Sequence, residues 1–236
     1  MNPLALSHRR QVRASAFTLI EMLVVITIIV LLLAFSTPAL MRTMQASKLA
    51  SAGDSLMGAI SEAQQIAFAQ NLPVEMRFFK FAEGMETEKN FHSYQSFKVT
   101  ENFKADGTVE EKLVPVNNLA RLPDSVIVVP DVSLSPILSS GGQDFEDERD
   151  GTSNGYSGVN GARYNALRFM PDGSCRSVGT TTGGLATLSF STLPQSFLTV
   201  TTESGQAVKV ENLPKNFYTI QIDPFTGKAR SYKPGF

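Results

Sequence analysis

The sequence predicts an α+β protein in which a long amino-terminal helix, transmembrane in its first half and amphipathic in its second, packs on an antiparallel β-sheet or sandwich domain. Three observations predict it. Residues 17–35 form an apolar run; apolar residues at helical spacing continue to Ile66; and from Val74 onward short segments rich in Val, Phe, Thr and Tyr alternate with Pro, Gly and Asn. At 236 residues and 42% hydrophobic content, the chain can hold one medium domain plus an extended segment.

Residues 1–16 are polar and basic, with Arg9, Arg10 and Arg13. The run 17–35 is apolar apart from Thr18, Glu21 and Thr27. As helix it spans about 28 Å, close to the hydrocarbon thickness of a bilayer. Arginines before the run and none within it place the amino terminus in the cytoplasm by the positive-inside rule, and the rest of the chain across the membrane. A secretory signal peptide shares the basic start and the apolar middle, but its apolar run is about 7 to 15 residues and has no use for a carboxylate. A twin-arginine signal fits poorly, because no apolar residues closely follow Arg9-Arg10.

Glu21 is the feature to explain. A carboxylate in the hydrocarbon layer is costly, so it calls for a partner. The stretch "AFTLIE", Ala16 to Glu21, between a basic leader and an apolar helix, resembles the type IV prepilin cleavage and methylation signal. That resemblance implies that prepilin peptidase cuts between Ala16 and Phe17 and methylates the new Phe17 amine. The family usually has Gly before the cut, where this chain has Ala16. It also implies an assembly role for Glu21, as the acidic residue that meets the terminal amine of a neighbouring subunit. A buried charge is tolerable when paired in this way.

Pro38 removes a helical N–H and is expected to bend the helix, and pilin-like helices commonly carry a proline here. Beyond it Leu49, Ala52, Leu56, Ala59, Ala63 and Ile66 make an apolar stripe that needs a sheet to pack on. "NLP" at Asn71 to Pro73 ends the helix. Strands are expected over 74–81, 93–100, 126–129, 166–170, 185–190, 197–202, 208–210, 218–222 and 229–232. Turns are expected at Asp106-Gly107, in "FMPDGS" from Phe169, and in "IDPFTGK" from Ile222. The map that results is a leader at 1–16, a transmembrane part at 17–35, an amphipathic continuation at 36–72 and a β-rich domain at 73–236, with a mobile acidic Gly/Ser-rich loop at 139–162.

"EAQQIAFAQNLPVEMRF", "RFMPDGS" and "IQIDPFTGKAR" are similar to the helix-to-strand junction, the "FxPxG" turn and the terminal hairpin of H-type minor pseudopilins of type II secretion and related minor pilins. The whole chain is similar to prepilin-type proteins named Verru_Chthon cassette protein D, a name that implies no biochemical activity. The resemblance implies a minor pseudopilin or minor pilin, a structural subunit of a type II secretion or type IV pilus-like filament. Its partners would be prepilin peptidase, other pilins or pseudopilins, an inner-membrane assembly platform and the membrane. It would sit in the inner membrane as a single-pass protein, with its domain periplasmic or in an extracytoplasmic filament. The competing reading is a membrane-anchored periplasmic binding domain or enzyme with no filament role.

Other functions find little support. A net charge of -1 and no evident basic face argue against nucleic-acid binding. Three of the 21 basic residues precede Phe17, so the rest carries 18 against 22 acidic ones, a net of -4. Cys175 is the sole cysteine, which excludes an intramolecular disulfide and reads as a buried thiol. His8 and His92 are too few for a zinc cluster or a histidine triad built from close motifs. The loop Ser139 to Gly161 gathers Asp144, Glu146, Asp147, Glu148 and Asp150, oxygen ligands of the kind calcium takes, but without the ordered spacing of a dedicated site. The glycine pairs at 141–142 and 183–184 read as turns, and no G-x-S-x-G elbow occurs. No catalytic, metal or cofactor-binding residue is therefore expected, and no enzyme.

Overall fold

The computed structural model describes residues 17–80, 90–138, 163–182, 185–203 and 207–233, with side chains left out at 37–39, 163 and 180–182. The acidic loop and the glycine pairs at 141–142 and 183–184 lie outside the described residues, as does the leader. The chain divides into two compact units, Met1–Met44 and Gln45–Phe236. Helix α1, Leu19–Gln70, contributes to both.

In the first unit the described side chains from Phe17 to Ser36 are exposed all round. An apolar helix with no covered face is one whose solvent is lipid or other helices. Its hydroxyls are satisfied within the helix: Thr27 Oγ1 donates to the Leu23 carbonyl and Ser36 Oγ to that of Leu32, each at 2.8 Å. This suits a segment with no water to bond. The bend expected at Pro38 falls on residues whose side chains lie outside the described ones.

In the second unit α1 buries one face, Leu49, Ala52, Leu56, Ile60, Ala63 and Ala67, with Ala59 and Ile66 half-buried beside it. The stripe is therefore centred on Ile60 and Ala67 as much as on the residues first picked out. The helix stops at Gln70 because Asn71 takes a left-handed conformation, φ 52°, and Pro73 follows.

Eleven strands follow among the described residues: β1 Val74–Lys80, β2 Ser93–Phe103, β3 Val109–Pro115, β4 Ala120–Arg121, β5 Val126–Val128, β6 Arg163–Phe169, β7 Cys175–Thr182, β8 Leu185–Ser189, β9 Phe197–Thr202, β10 Phe217–Ile222 and β11 Ala229–Tyr232. The larger sheet runs β3-β2-β1-β6-β7-β8, with β4 also on β2; the smaller runs β11-β10-β9-β5. Every pairing is antiparallel. An α+β architecture results, with α1 covering one face of both sheets through a shared core that includes Phe78, Phe169, Val200, Tyr218 and Ile220.

Three strands go beyond the sequence reading: β3, β7 and the two-residue β4. β3 forms the second arm of the Asp106-Gly107 hairpin, where Gly107 has φ 81°. β7, "CRSVGTTT", is too polar and glycine-containing to stand out. The strand expected at 208–210 is absent. Instead Lys209 N donates to Asn212 Oδ1 at 2.6 Å and Asn212 Nδ2 to the Ala207 carbonyl at 3.0 Å, closing a 3-10 turn at Val210–Asn212. Side chain–backbone bonds of this kind draw the chain off a ladder. Val208 still packs, with Ile127, Val129 and Leu134.

β1 is buried on both faces, so its sequence, VEMRFFK, does not alternate cleanly. Val74, Met76 and Phe78 face the helix, while Phe79 joins Phe97, Val99, Leu113, Tyr164, Ala166 and Val178 in a second core. The sheet covers this second core by curling on itself, aided by the irregularity between Val178 and Thr181. Its two end strands approach, and the Ala186 amide on β8 donates to Glu111 Oε2 on β3 at 3.3 Å.

Four charges sit inside that curl. Arg168 bonds Glu75 at 2.5 Å and takes Glu111 in a two-pronged pair at 2.5 and 2.8 Å, while Arg77 Nε meets Glu75 at 2.9 Å. The Arg77 guanidinium also lies 4.1 Å from the Tyr164 ring centre and 5.1 Å from that of Phe97. Opposite charges balance two against two in this network, which lets ions stay buried.

The turn at Met170 to Ser174 docks on the turn at Asp223 to Lys228. The Cys175 amide donates to the Pro224 carbonyl at 2.8 Å, and Gln64 Nε2 on α1 donates to the Thr226 carbonyl at 2.5 Å. Gly227, at φ 64°, has no room for a side chain: a Cβ there would lie 2.7 Å from the Gly173 carbonyl oxygen. Burial pushes the neighbouring Cys175 thiol up to about 12, so it is inert at neutral pH.

Two glycines on α1 are expected to respond oppositely to alanine. A Cβ at Gly53 would meet the Tyr218 ring at 2.7 to 2.8 Å, and that ring cannot easily withdraw because it is buried and its hydroxyl bonds Asp54 at 3.1 Å. Gly53→Ala should lower stability by about 1 to 2 kcal/mol despite the better helix propensity. At Gly58 nothing lies within 4 Å, so Gly58→Ala should raise it by about 0.5 to 1 kcal/mol. Denaturant midpoints of the two variants check both signs.

Candidate functional site

Thr18 lies just outside the helix and Leu19 begins it, so Glu21 is the third helical residue. The first amides of a helix have no partner within it. Here the Glu21 amide donates to Thr18 Oγ1 at 3.2 Å, and the Thr18 amide donates back to Glu21 Oε2 at 2.8 Å. The Thr18 hydroxyl donates to the same oxygen at 2.9 Å. This is a capping box, T-x-x-E, closed in both directions.

The carboxylate is thereby fixed beside the positive end of the helix dipole. Oε2 receives both Thr18 donors, and among the described residues Oε1 accepts no hydrogen bond. Phe17 is 72% exposed one residue before the cap. Phe17, Ile20, Glu21, Val24 and Val25 line one shallow apolar groove of about 370 Å³. The geometry offers a cation a single oriented oxygen at the edge of an apolar surface.

The structure thus brings Phe17 and Glu21 together, leaves the side chain of Pro38 undescribed, and does not describe Ala16. Thr18 was passed over as one of three polar interruptions in the apolar run. The signal that finds it is its spacing to Glu21, the Thr-x-x-Glu of a helix start.

One apolar helix long enough to cross a membrane among the described residues, with a carboxylate held in its first turn ahead of an antiparallel β domain, is consistent with a type IV pilin-like prepilin. Residues 12–37 match the prokaryotic N-terminal methylation motif, which covers the whole apolar run 17–35 and the five residues before it and supports a prepilin processed by prepilin peptidase that assembles with other pilins. No curated protein and no solved structure matches the chain.

Proposed function

We propose that this protein is a minor pseudopilin or minor pilin, a non-enzymatic structural subunit of a type II secretion or type IV pilus-like filament. Prepilin peptidase cuts between Ala16 and Phe17 on the cytoplasmic face of the inner membrane, and the Phe17 amine is then methylated. The observation that carries the reading is the methylation motif at 12–37 together with a carboxylate pre-oriented in the first helical turn. Glu21 receives the Phe17 amine of a neighbouring subunit on Oε1, while Thr18 keeps Oε2. The leader arginines hold the amino terminus in the cytoplasm, so the domain after Pro73 lies on the far side of the membrane.

Mass spectrometry of the amino terminus, on protein extracted from the membrane of its host, tests the processing step. A methylated Phe17 terminus is the expected result. Recovery of the protein with residues 1–16 attached would instead favour a domain or enzyme on an uncleaved anchor. Ala16→Glu should leave the leader in place, because the peptidase must accept a small uncharged side chain beside the cut. Phe17→Ala should mostly spare cleavage.

A further inference from the structure

β11 ends the smaller sheet, and its outer edge pairs with no described strand. The ladder phase identifies which groups face outward. The Asp223 amide donates to the Lys228 carbonyl at 2.9 Å, and the Ile222 amide points away, to the Ser196 carbonyl at 2.7 Å. With Ile222 opposite Ala229, Gln221 opposite Arg230 and Ile220 opposite Ser231, the residues bonded to β10 are Lys228 and Arg230. The amides and carbonyls of Ala229 and Ser231 therefore point off the sheet.

The side chains along this edge are cationic. Lys228 and Arg230 line a cleft of about 420 Å³ with Leu193, Gln221, Asp223 and Thr226. Among the described residues neither cation has a carboxylate within ion-pair distance. Of the two nearby acids, Asp223 shares the cleft: its Oδ1 accepts the amides of Phe225 and Thr226 at 2.9 and 3.3 Å. These bonds first, with the charge of Arg230 after them, hold its carboxyl below the usual range, so the cleft keeps one net positive charge. Asp54 lies 4.0 Å from Lys233 and accepts the Tyr218 hydroxyl.

We propose that the β11 edge is a docking site for a partner polypeptide that presents an extended acidic segment, which adds to the smaller sheet as a further strand. Main-chain bonds to Ala229 and Ser231 supply the pairing, and the Lys228/Arg230 cleft takes an acidic side chain of the guest. The same charges disfavour edge-to-edge pairing of two β11 strands, which would set Lys228, Arg230 and Lys233 of one copy against those of the other. The inference does not depend on the anchor entering a filament.

The test uses the full chain in detergent micelles and a fluorescein-labelled decapeptide of alternating glutamate and threonine, with a lysine–threonine decapeptide for comparison. Saturable anisotropy with the glutamate peptide alone is expected, with slowed amide exchange at Ala229, Ser231 and Lys233. Ser231→Pro removes an outward donor and should weaken binding by about tenfold or more, while Ser231→Ala, which loses the same side-chain bond to Tyr218 but keeps the amide, should bind as the wild type does. Lys228→Glu/Arg230→Glu, on the surface, should reverse the preference to the lysine peptide. No saturable binding of the glutamate peptide would overturn the proposal. So would affinity unchanged in the charge-reversed variant, or protection confined to segments other than β11.

Discussion

Glu21→Ala is expected to leave the protein inserted in the membrane and processed, yet absent from any filament. Insertion should be unchanged or improved, since a charge leaves the apolar segment. Processing should persist, because the cut lies outside the helix and the change lies within it. Assembly should fail by about tenfold or more, because an incoming subunit would bury its terminal amine with no carboxylate to meet it.

The capping box sharpens this expectation. Thr18 and Glu21 hold each other, so Thr18→Val should also impair assembly while leaving the charge in place. Glu21→Gln should fall between wild type and alanine, keeping the cap but losing the charge. The measurement is the ratio of sheared to membrane-retained protein for each variant in the native host. Wild-type assembly of Glu21→Ala would remove the carboxylate from the filament contact and the pilin-type reading with it.

The second large effect lies in the domain. Arg168→Met should destabilise it by about 3 to 5 kcal/mol, because Glu75 and Glu111 would remain buried with their shared cation gone. That is a large fraction of the roughly 5 to 15 kcal/mol that holds a domain together. Glu111 also receives the Ala186 amide, so the loss should loosen the approach of β3 to β8 first. Replacing the whole set, Arg168→Met and Arg77→Met with Glu75→Leu and Glu111→Leu, should recover most of the stability, as apolar side chains of similar size need no partner. Urea midpoints of the single and quadruple variants decide it. If Arg168→Met alone unfolds at the wild-type midpoint, the charges are solvated and the second core is open to water.

How much of this was legible in the sequence depended on whether the signal was contiguous. The apolar run, the basic residues before it, Glu21 and the cap spacing to Thr18 all fall within 13 consecutive positions, Arg9 to Glu21, and the helix that follows. Such features act through local chemistry, the transfer cost of a charge and the geometry of a helix start, and neither depends on the rest of the chain. Strands with one covered face were also legible, as at β10, where FYTIQI alternates half-buried and buried residues.

Elsewhere the covering surfaces are set by distant residues. β1 shows no alternation because α1 covers one face and the curled sheet the other. β7 is polar yet central enough to pair on both sides, whereas Val208 is apolar and buried without joining a strand. The charges of Glu75, Glu111 and Arg168, up to 93 positions apart, read as ordinary surface residues until β1 and β6 align Glu75 opposite Arg168 and the curl brings Glu111 in from β3. By itself the sequence determined an apolar helix long enough to cross a membrane, with a prokaryotic N-terminal methylation motif at its start. Only the tertiary structure decided which charges are buried and which strand edge is left open, because burial and pairing are properties of what lies opposite a residue, and strand register alone specifies that.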